Sequence, residues 1–112
     1  IPYSGGTGDL SVIQLGGDGG GLKSNVNRWR GQLNLGPIGL FDIEKDIVKE
    51  EGQLNIFSTI QIINQEIDSA FFCAIIPSGN YTIFVKLSLK PIGIIEIKDD
   101  FIKFCSSLKF SN

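Results

Sequence analysis

The chain has 112 residues, which gives room for one domain with a hydrophobic core. Hydrophobic residues make up 42% of the sequence and charged residues 20%, a balance that excludes an intrinsically disordered chain. The formal net charge is −2 and the basic residues are scattered, so the composition argues against a nucleic-acid interface. No apolar run approaches the roughly 20 residues of a membrane span. We expect a single domain over residues 1–112.

The first predicted element is a strand over residues 10–15 (LSVIQL), which are β-branched and apolar enough to form one. Residues 1–8 are rich in Gly, Pro and Ser, which indicates either an irregular N-terminal segment or the end of a strand that has been cut short. The glycine run GGDGGG over residues 16–21 ends the predicted strand.

Helical spacing begins after the glycine run. Apolar residues at intervals of four, three and four predict a helix over residues 22–34 with one buried face. This apolar stripe consists of Leu22, Val26, Trp29 and Leu33. Gly36 and Pro37 are expected to end the helix, with glycine supplying the terminal left-handed residue. A short helix is predicted over residues 42–50, amphipathic through Ile43, Ile47 and Val48.

Three antiparallel strands are predicted in the second half. After Gly52 the apolar period changes to two, which predicts an extended segment. Its apolar face is formed by Leu54, Ile56, Ile60 and Ile62. A polar turn at residues 64–68 leads to residues 70–76, which are apolar throughout and typical of a strand covered on both faces. A turn at residues 77–80 then returns the chain into a strand over residues 81–89.

Pro91 opens the last predicted element, a helix over residues 91–108. Its apolar arc covers about half of the cylinder, so we expect it to pack broadly on the sheet. The arc consists of Ile94, Ile95, Ile97, Phe101, Ile102, Phe104, Cys105 and Leu108. The fold class that follows is α+β, an antiparallel β-sheet flanked by helices.

The sequence offers little for catalysis. It has no histidine, which removes the commonest general base and metal ligand, so we predict no catalytic, cofactor-binding or metal-binding residues. The carboxylates of residues 42–51 and of Asp99 and Asp100 are typical of solvated helix faces. Cys73 and Cys105 lie inside apolar runs and are predicted to be buried free thiols, with a disulfide between them as the alternative.

The glycine run is the first of two candidate binding features. A strand, a glycine-rich turn and a helix can together hold an anion at the helix N-terminus. The spacing of Gly17, Gly19 and Gly20 does not fit GxGxxG, and no Gly-Lys-Ser/Thr follows, so a P-loop is excluded. A flexible turn in which Asp18 or a glycine caps the helix is favoured instead.

The helix over residues 22–34 is the second candidate. With its apolar stripe facing inward, polar donors line its two flanks at spacings of three and four. These amide and guanidinium groups could bind a carboxylate, a phosphate or a protein partner. The candidate ligand or partner surface comprises Asn25, Asn27, Arg28, Arg30 and Gln32. The alternative is a structural role, in which the same side chains bind backbone carbonyls of neighbouring loops.

The segment GDLSVIQLGGDGGGLKSNVNRWRGQLNL, with FFCAIIPSGNYTIFVKL and FIKFCSSLKF further along, resembles a group of uncharacterised bacterial proteins, many with lipoprotein-type leaders. The resemblance covers nearly the whole chain and implies a PsbP/Mog1-like fold, an antiparallel sheet with helices on both sides. It also implies N-terminal strands that this chain lacks. Because an unpaired sheet edge tends to pair with another chain, we expect a homodimer.

The function that these observations favour is a non-enzymatic binding or accessory domain that engages an unknown protein partner. The alternative is a small-anion or metabolite binder that uses the glycine-rich loop with Arg28 and Arg30. The chain contains no methionine, so we expect Ile1 to follow a removed leader or the chain to be a fragment. If that leader is of lipoprotein type, the protein is exported or membrane-anchored.

Overall fold

The structure, a computed structural model, describes residues 1–53 and 56–108. Its strands are β1 (Pro2–Tyr3), β2 (Gly6–Thr7), β3 (Asp9–Gly16), β4 (Val48–Glu51), β5 (Ile56–Asn64), β6 (Ser69–Ser78) and β7 (Tyr81–Leu89). Its helices are α1 (Leu22–Gln32), α2 (Leu40–Asp46) and α3 (Pro91–Ser107), and a 3-10 turn spans Gln65–Ile67. Strands β3 to β7 form one antiparallel sheet in the spatial order β3–β7–β6–β5–β4.

Helices cover both faces of this sheet, which confirms the α+β class. On one side, called the α1 face below, the apolar residues of α1 and α2 pack against alternate residues of β5, β6 and β7. On the other, the α3 face, α3 packs against the intervening residues of the same strands. The central strand β6 is buried on both faces, as its unbroken apolar run predicts.

Several predicted elements are confirmed closely. β7 runs from Tyr81 to Leu89 as expected, with Ile83, Val85, Leu87 and Leu89 in the cluster on the α3 face and Phe84 in the cluster on the α1 face. The apolar stripe of α1 faces the sheet, and Trp29 keeps only 2% of its surface exposed. The two-residue turn Gly79–Asn80 joins β6 to β7, with Gly79 in the left-handed region at φ 59°.

The helix expected over residues 42–50 is wrong in its second half. α2 ends at Asp46, and Ile47 takes extended angles of φ −73° and ψ 133°. Val48–Glu51 then pairs with β5, with Val48 opposite Thr59. A nine-residue helix has little stability of its own, whereas the added strand satisfies the backbone groups along one side of β5.

The end of α1 also differs from the expectation. The helix stops at Gln32, and the left-handed residue is Asn34, at φ 59°, rather than Gly36. Asparagine tolerates this conformation better than other residues with a Cβ. The Leu35 N–H closes the turn by donating to the Arg30 carbonyl at 2.9 Å.

The apolar arc predicted for the last helix is too wide. Its buried residues include Ile94, Ile97, Phe101 and Cys105, whereas Ile95 is 90% exposed. A helix lying on a single sheet buries one stripe, so flanking apolar residues remain in solvent.

Two further segments refine the predictions. β5 places Ile60 and Ile62 on one face as expected, and Phe57 is buried on the other, α3 face, where Gln61 and Ile63 remain exposed. The Leu54 expected on its apolar face lies outside the described residues.

Residues 1–8 form a small hairpin of β1 and β2, where the Tyr3 hydroxyl accepts a hydrogen bond from the Lys90 N–H at 2.9 Å.

Candidate functional site

The glycine run forms a tight turn between β3 and α1. Gly17, Gly19, Gly20 and Gly21 all have positive φ, and Gly21 is the N-cap residue of α1. Asp18 is exposed, and its Oδ1 accepts a hydrogen bond from the Gly20 N–H of the same loop at 3.0 Å. The turn therefore binds a carboxylate of its own chain at an amide that an anionic ligand would otherwise use.

Asn25 is fully buried beneath the same turn. Its Nδ2 donates to the carbonyls of Gly19, at 3.1 Å, and Gly21, at 2.6 Å. Its Oδ1 has no hydrogen-bond partner among the described residues. Asn25 thus fixes the glycine turn to the first turns of α1 and presents no surface to solvent.

Asn27 and Arg30 hold the loop that follows α1. The Asn27 Nδ2 donates to the Ile38 carbonyl and its Oδ1 accepts from the Ile38 N–H, both at 2.9 Å. The Arg30 Nε donates to the Gly36 carbonyl at 2.7 Å. The structure thus places three of the five candidate residues, Asn25, Asn27 and Arg30, in contacts with backbone groups.

Arg28 and Gln32 lie on the opposite flank, where they line a groove between α1 and the strands β3 and β7. The groove has a volume of about 330 Å³. It is lined by Ser11, Ile13, Leu15, Arg28, Trp29, Gln32, Phe84 and Lys86. The Lys86 Nζ donates to the Gln32 Oε1 at 3.0 Å, which connects β7 to α1 across the groove.

The groove combines an aromatic floor with two cations. The Trp29 and Phe84 rings meet edge to face, with their centroids 6.2 Å apart. The Arg28 guanidinium carbon lies 5.9 Å from the Trp29 centroid, and the Lys86 Nζ lies 4.7 Å from the Phe71 centroid. The two salt bridges in the described part of the chain join Lys45 to Asp42 and Lys90 to Asp68, so neither groove cation has a carboxylate partner there.

The charge of these cations also acts on the thiol beneath them. Burial raises the pKa of Cys73 well above its ordinary value, and the positive charges of Lys86 and Arg28 oppose that rise. Cys105 lies on the α3 face, where burial raises its pKa to about 12. Both thiols are free, as predicted, and the sheet separates them, which excludes the disulfide between them.

The groove opens onto β3, an end strand of the sheet. The side chains of Ile13 and Leu15 face the groove, whereas Leu10 and Val12 lie on the α3 face. All four apolar side chains are exposed, and Val12 retains 49% of its surface. A long, apolar edge strand without proline is the kind that pairs with another polypeptide.

The register of the ladder shows which backbone groups of β3 are open. In antiparallel pairs, successive residues alternate between bonding one neighbour and facing the other side. The Gly17 N–H donates to the Asn80 carbonyl at 2.7 Å, in continuation of the pairing of Gly16 with Tyr81. Leu15, Ile13 and Ser11 therefore bond β7, and the N–H and C=O groups of Gly16, Gln14, Val12 and Leu10 face the open edge. The Gly16 carbonyl already accepts from the Gly19 N–H, which leaves Leu10, Val12 and Gln14 open in both groups.

Other kinds of site are less well supported. Within residues 1–53 and 56–108, no group of three or more His, Cys, Asp or Glu residues is arranged to hold a metal ion. No helix of the described residues is long and apolar enough to cross a membrane.

Of the residues that line the groove, Arg28 and Gln32 belong to the predicted surface, whereas Lys86 and the β3 residues do not. The signal in the sequence is the position of Lys86 between Val85 and Leu87, which puts it on the α1 face of β7. Comparison of the chain with protein-family models, with curated proteins and with solved structures finds no match.

Proposed function

We propose that the chain is a non-enzymatic binding domain that engages a protein partner by adding a strand of that partner to β3. The observation that carries this proposal is the open edge of β3 beside the groove. Its outward N–H and C=O groups can form main-chain hydrogen bonds, and the groove can receive side chains of the added strand. The other end strand, β4, has four residues, three of them charged, and offers a poorer edge.

The alternative, a small-anion binder that uses the glycine-rich loop with Arg28 and Arg30, has less support. Asp18 already occupies an amide of the loop, and Arg30 is bound to the Gly36 carbonyl on the far flank of α1. An anion at the Gly20 amide would have to displace the Asp18 carboxylate. Arg28 faces the groove instead, on the same side as Lys86.

We also propose a PsbP/Mog1-like relationship and a homodimer. A five-stranded antiparallel sheet with helices on both faces supports the first. The exposed β3 supports the second, because a second copy is one polypeptide that could pair with it.

Selection from a peptide display library, followed by nuclear magnetic resonance, tests strand addition while the partner is still unidentified. Peptides selected against the wild-type protein should protect the amide hydrogens of Leu10, Val12 and Gln14 from exchange. They should lose binding to Val12→Pro, which removes one outward N–H without breaking a bond to β7.

Val12→Ala, which shortens the same side chain but keeps the N–H, is the matched control and should still bind. Selected peptides that bind Val12→Pro as well as they bind the control would contradict strand addition. Failure to enrich any peptide that protects these amides would contradict it too.

A further inference from the structure

We infer that the strand received by β3 alternates acidic and apolar residues, with its acidic side chains on the α1 face and its apolar side chains on the α3 face. This inference rests on the proposed strand addition and specifies the chemistry of the partner. Alternation follows from the sheet itself, since successive residues of an added strand point to opposite faces. β3 itself presents two exposed apolar side chains to each face, so the difference between the faces comes from Arg28 and Lys86, which lie on the α1 face alone.

On the α1 face, the added strand would meet positive charge. Arg28 and Lys86 line the groove, and neither forms an ion pair within the described residues. Lys86 lies opposite Ser11 of β3. Only the small side chain of Ser11 therefore lies between Lys86 and the open edge of the sheet. Strands are spaced about 4.8 Å apart, so a glutamate on the added strand and the lysine on β7 could approach each other above Ser11.

The positive charge of the groove is local. The chain as a whole carries a net charge of −2, so general attraction of acidic molecules does not explain an acidic preference. The groove floor is formed by Trp29, Phe84 and Ile13, which lower the polarity around the two cations. A carboxylate that enters this groove therefore gains more from the cations than it would at a fully solvated surface.

On the α3 face, the added strand would meet apolar surface. Leu10 and Val12 project from β3 there and remain exposed, next to the buried Val85 and Leu87 of β7. An apolar residue opposite Val12 would extend that cluster across the edge. A charged residue at the same position would have no partner on β3, since Asp9 is the one charged residue of this strand.

A second copy of this chain fits the edge less well. Pairing two β3 strands through a two-fold axis perpendicular to the sheet keeps α1 on the same face of both halves. Two sets of Arg28 and Lys86 would then share one face of the joined sheet. The single acidic residue that each β3 contributes is Asp9, at the start of the strand. Like charges therefore disfavour the homodimer relative to an acidic strand.

Capped eight-residue peptides test this inference by fluorescence anisotropy at low ionic strength. One alternates valine with glutamate, a second valine with glutamine, and a third valine with lysine. We expect the glutamate peptide to bind about tenfold more tightly than the glutamine peptide, and the lysine peptide to bind most weakly. The preference for glutamate should disappear in the double variant Arg28→Gln, Lys86→Gln.

The double variant Lys98→Gln, Lys103→Gln is the charge-matched control. Both of its lysines are exposed on α3, so it should keep the preference. Thermal unfolding of both double variants checks that they fold.

Equal binding of the glutamate and glutamine peptides, or no binding of any peptide to the folded protein, would overturn the acidic preference. Strand addition would then be judged separately, by whether library-selected peptides need the Val12 N–H. A dimer in sedimentation equilibrium that becomes monomeric in Val12→Pro would instead assign the edge to a second copy and overturn the inference.

Discussion

Replacing Gly19 with alanine should destabilise the protein by two separable effects. The residue has φ +64°, where an alanine costs about 1–2 kcal/mol. A Cβ at this position would also lie 2.4 Å from Cε2 and 2.6 Å from Cζ of Phe84. Moving that buried ring, which packs against Trp29, adds about 1–3 kcal/mol, so we expect a total loss of about 2–5 kcal/mol.

Gly17→Ala isolates the backbone effect. Gly17 has φ +61°, nearly the same as Gly19, but a Cβ there would meet nothing within 4 Å. Urea unfolding of both variants, monitored by Trp29 fluorescence, should therefore give a lower midpoint for Gly19→Ala than for Gly17→Ala at an unchanged m-value. Adding Phe84→Leu should make the Gly19→Ala loss smaller, because the shorter side chain relieves the overlap. Equal midpoints for the two glycine variants would refute the steric contact between the turn and the groove floor.

Three other changes test the packing on the two faces of the sheet. Asn27→Ala removes both hydrogen bonds to the Ile38 backbone, so it should lower the free energy of unfolding by about 1–3 kcal/mol and increase the exchange rate of the Ile38 amide hydrogen. Ile97→Ala should lose about 2–4 kcal/mol in urea unfolding because its side chain is 3% exposed, whereas Ile95→Ala, at 90% exposed, should change stability by less than about 0.5 kcal/mol. Burial raises the pKa of Cys105 from 9.0 to about 12, so its stabilising contribution is complete below pH 9 and is lost as the pH rises towards 12, since the unfolded chain releases the thiol proton first. Cys105→Ala should reduce this alkaline loss when unfolding is measured from pH 8 to 10.5.

The elements that could be predicted are those in which the pattern of apolar residues fits only one arrangement of buried and exposed faces. The run over residues 70–76 is apolar at every position, which is typical of a strand covered on both faces, and β6 lies in such a position. Apolar residues recur at every second position of Tyr81–Leu89, and this segment follows a strong turn signal. Both ends of β7 can therefore be predicted from the sequence. In α1, the spacing of Val26, Trp29 and Leu33 permits a helix with one buried face.

The predictions that differ from the structure concern segments whose sequence fits two local conformations equally well, so that tertiary contacts decide between them. Ile47 and Val48 fit an amphipathic helix and a strand equally well, and the open side of β5 selects the strand. Ile95 has the same spacing relative to its neighbours as a core residue, but α3 has a sheet on one side only. The donor groups of Asn27 and Arg30 were recognised, whereas the loop carbonyls that they bind could be located only in the folded chain.

The groove shows why a candidate site is harder to predict than the elements that form it. The helical spacing alone predicts Arg28 and Gln32 as binding residues on one flank of the helix and puts Arg30 on the other flank. The fold keeps the two arginines on different flanks of α1, and the second groove cation is Lys86, 58 positions after Arg28 in the sequence. Lys86 reaches the groove because β7 returns beside β3, and β3 is open because it ends the sheet. The proposed binding chemistry is therefore a property of the sheet order and its register, and the helix signature supplies only one side of it.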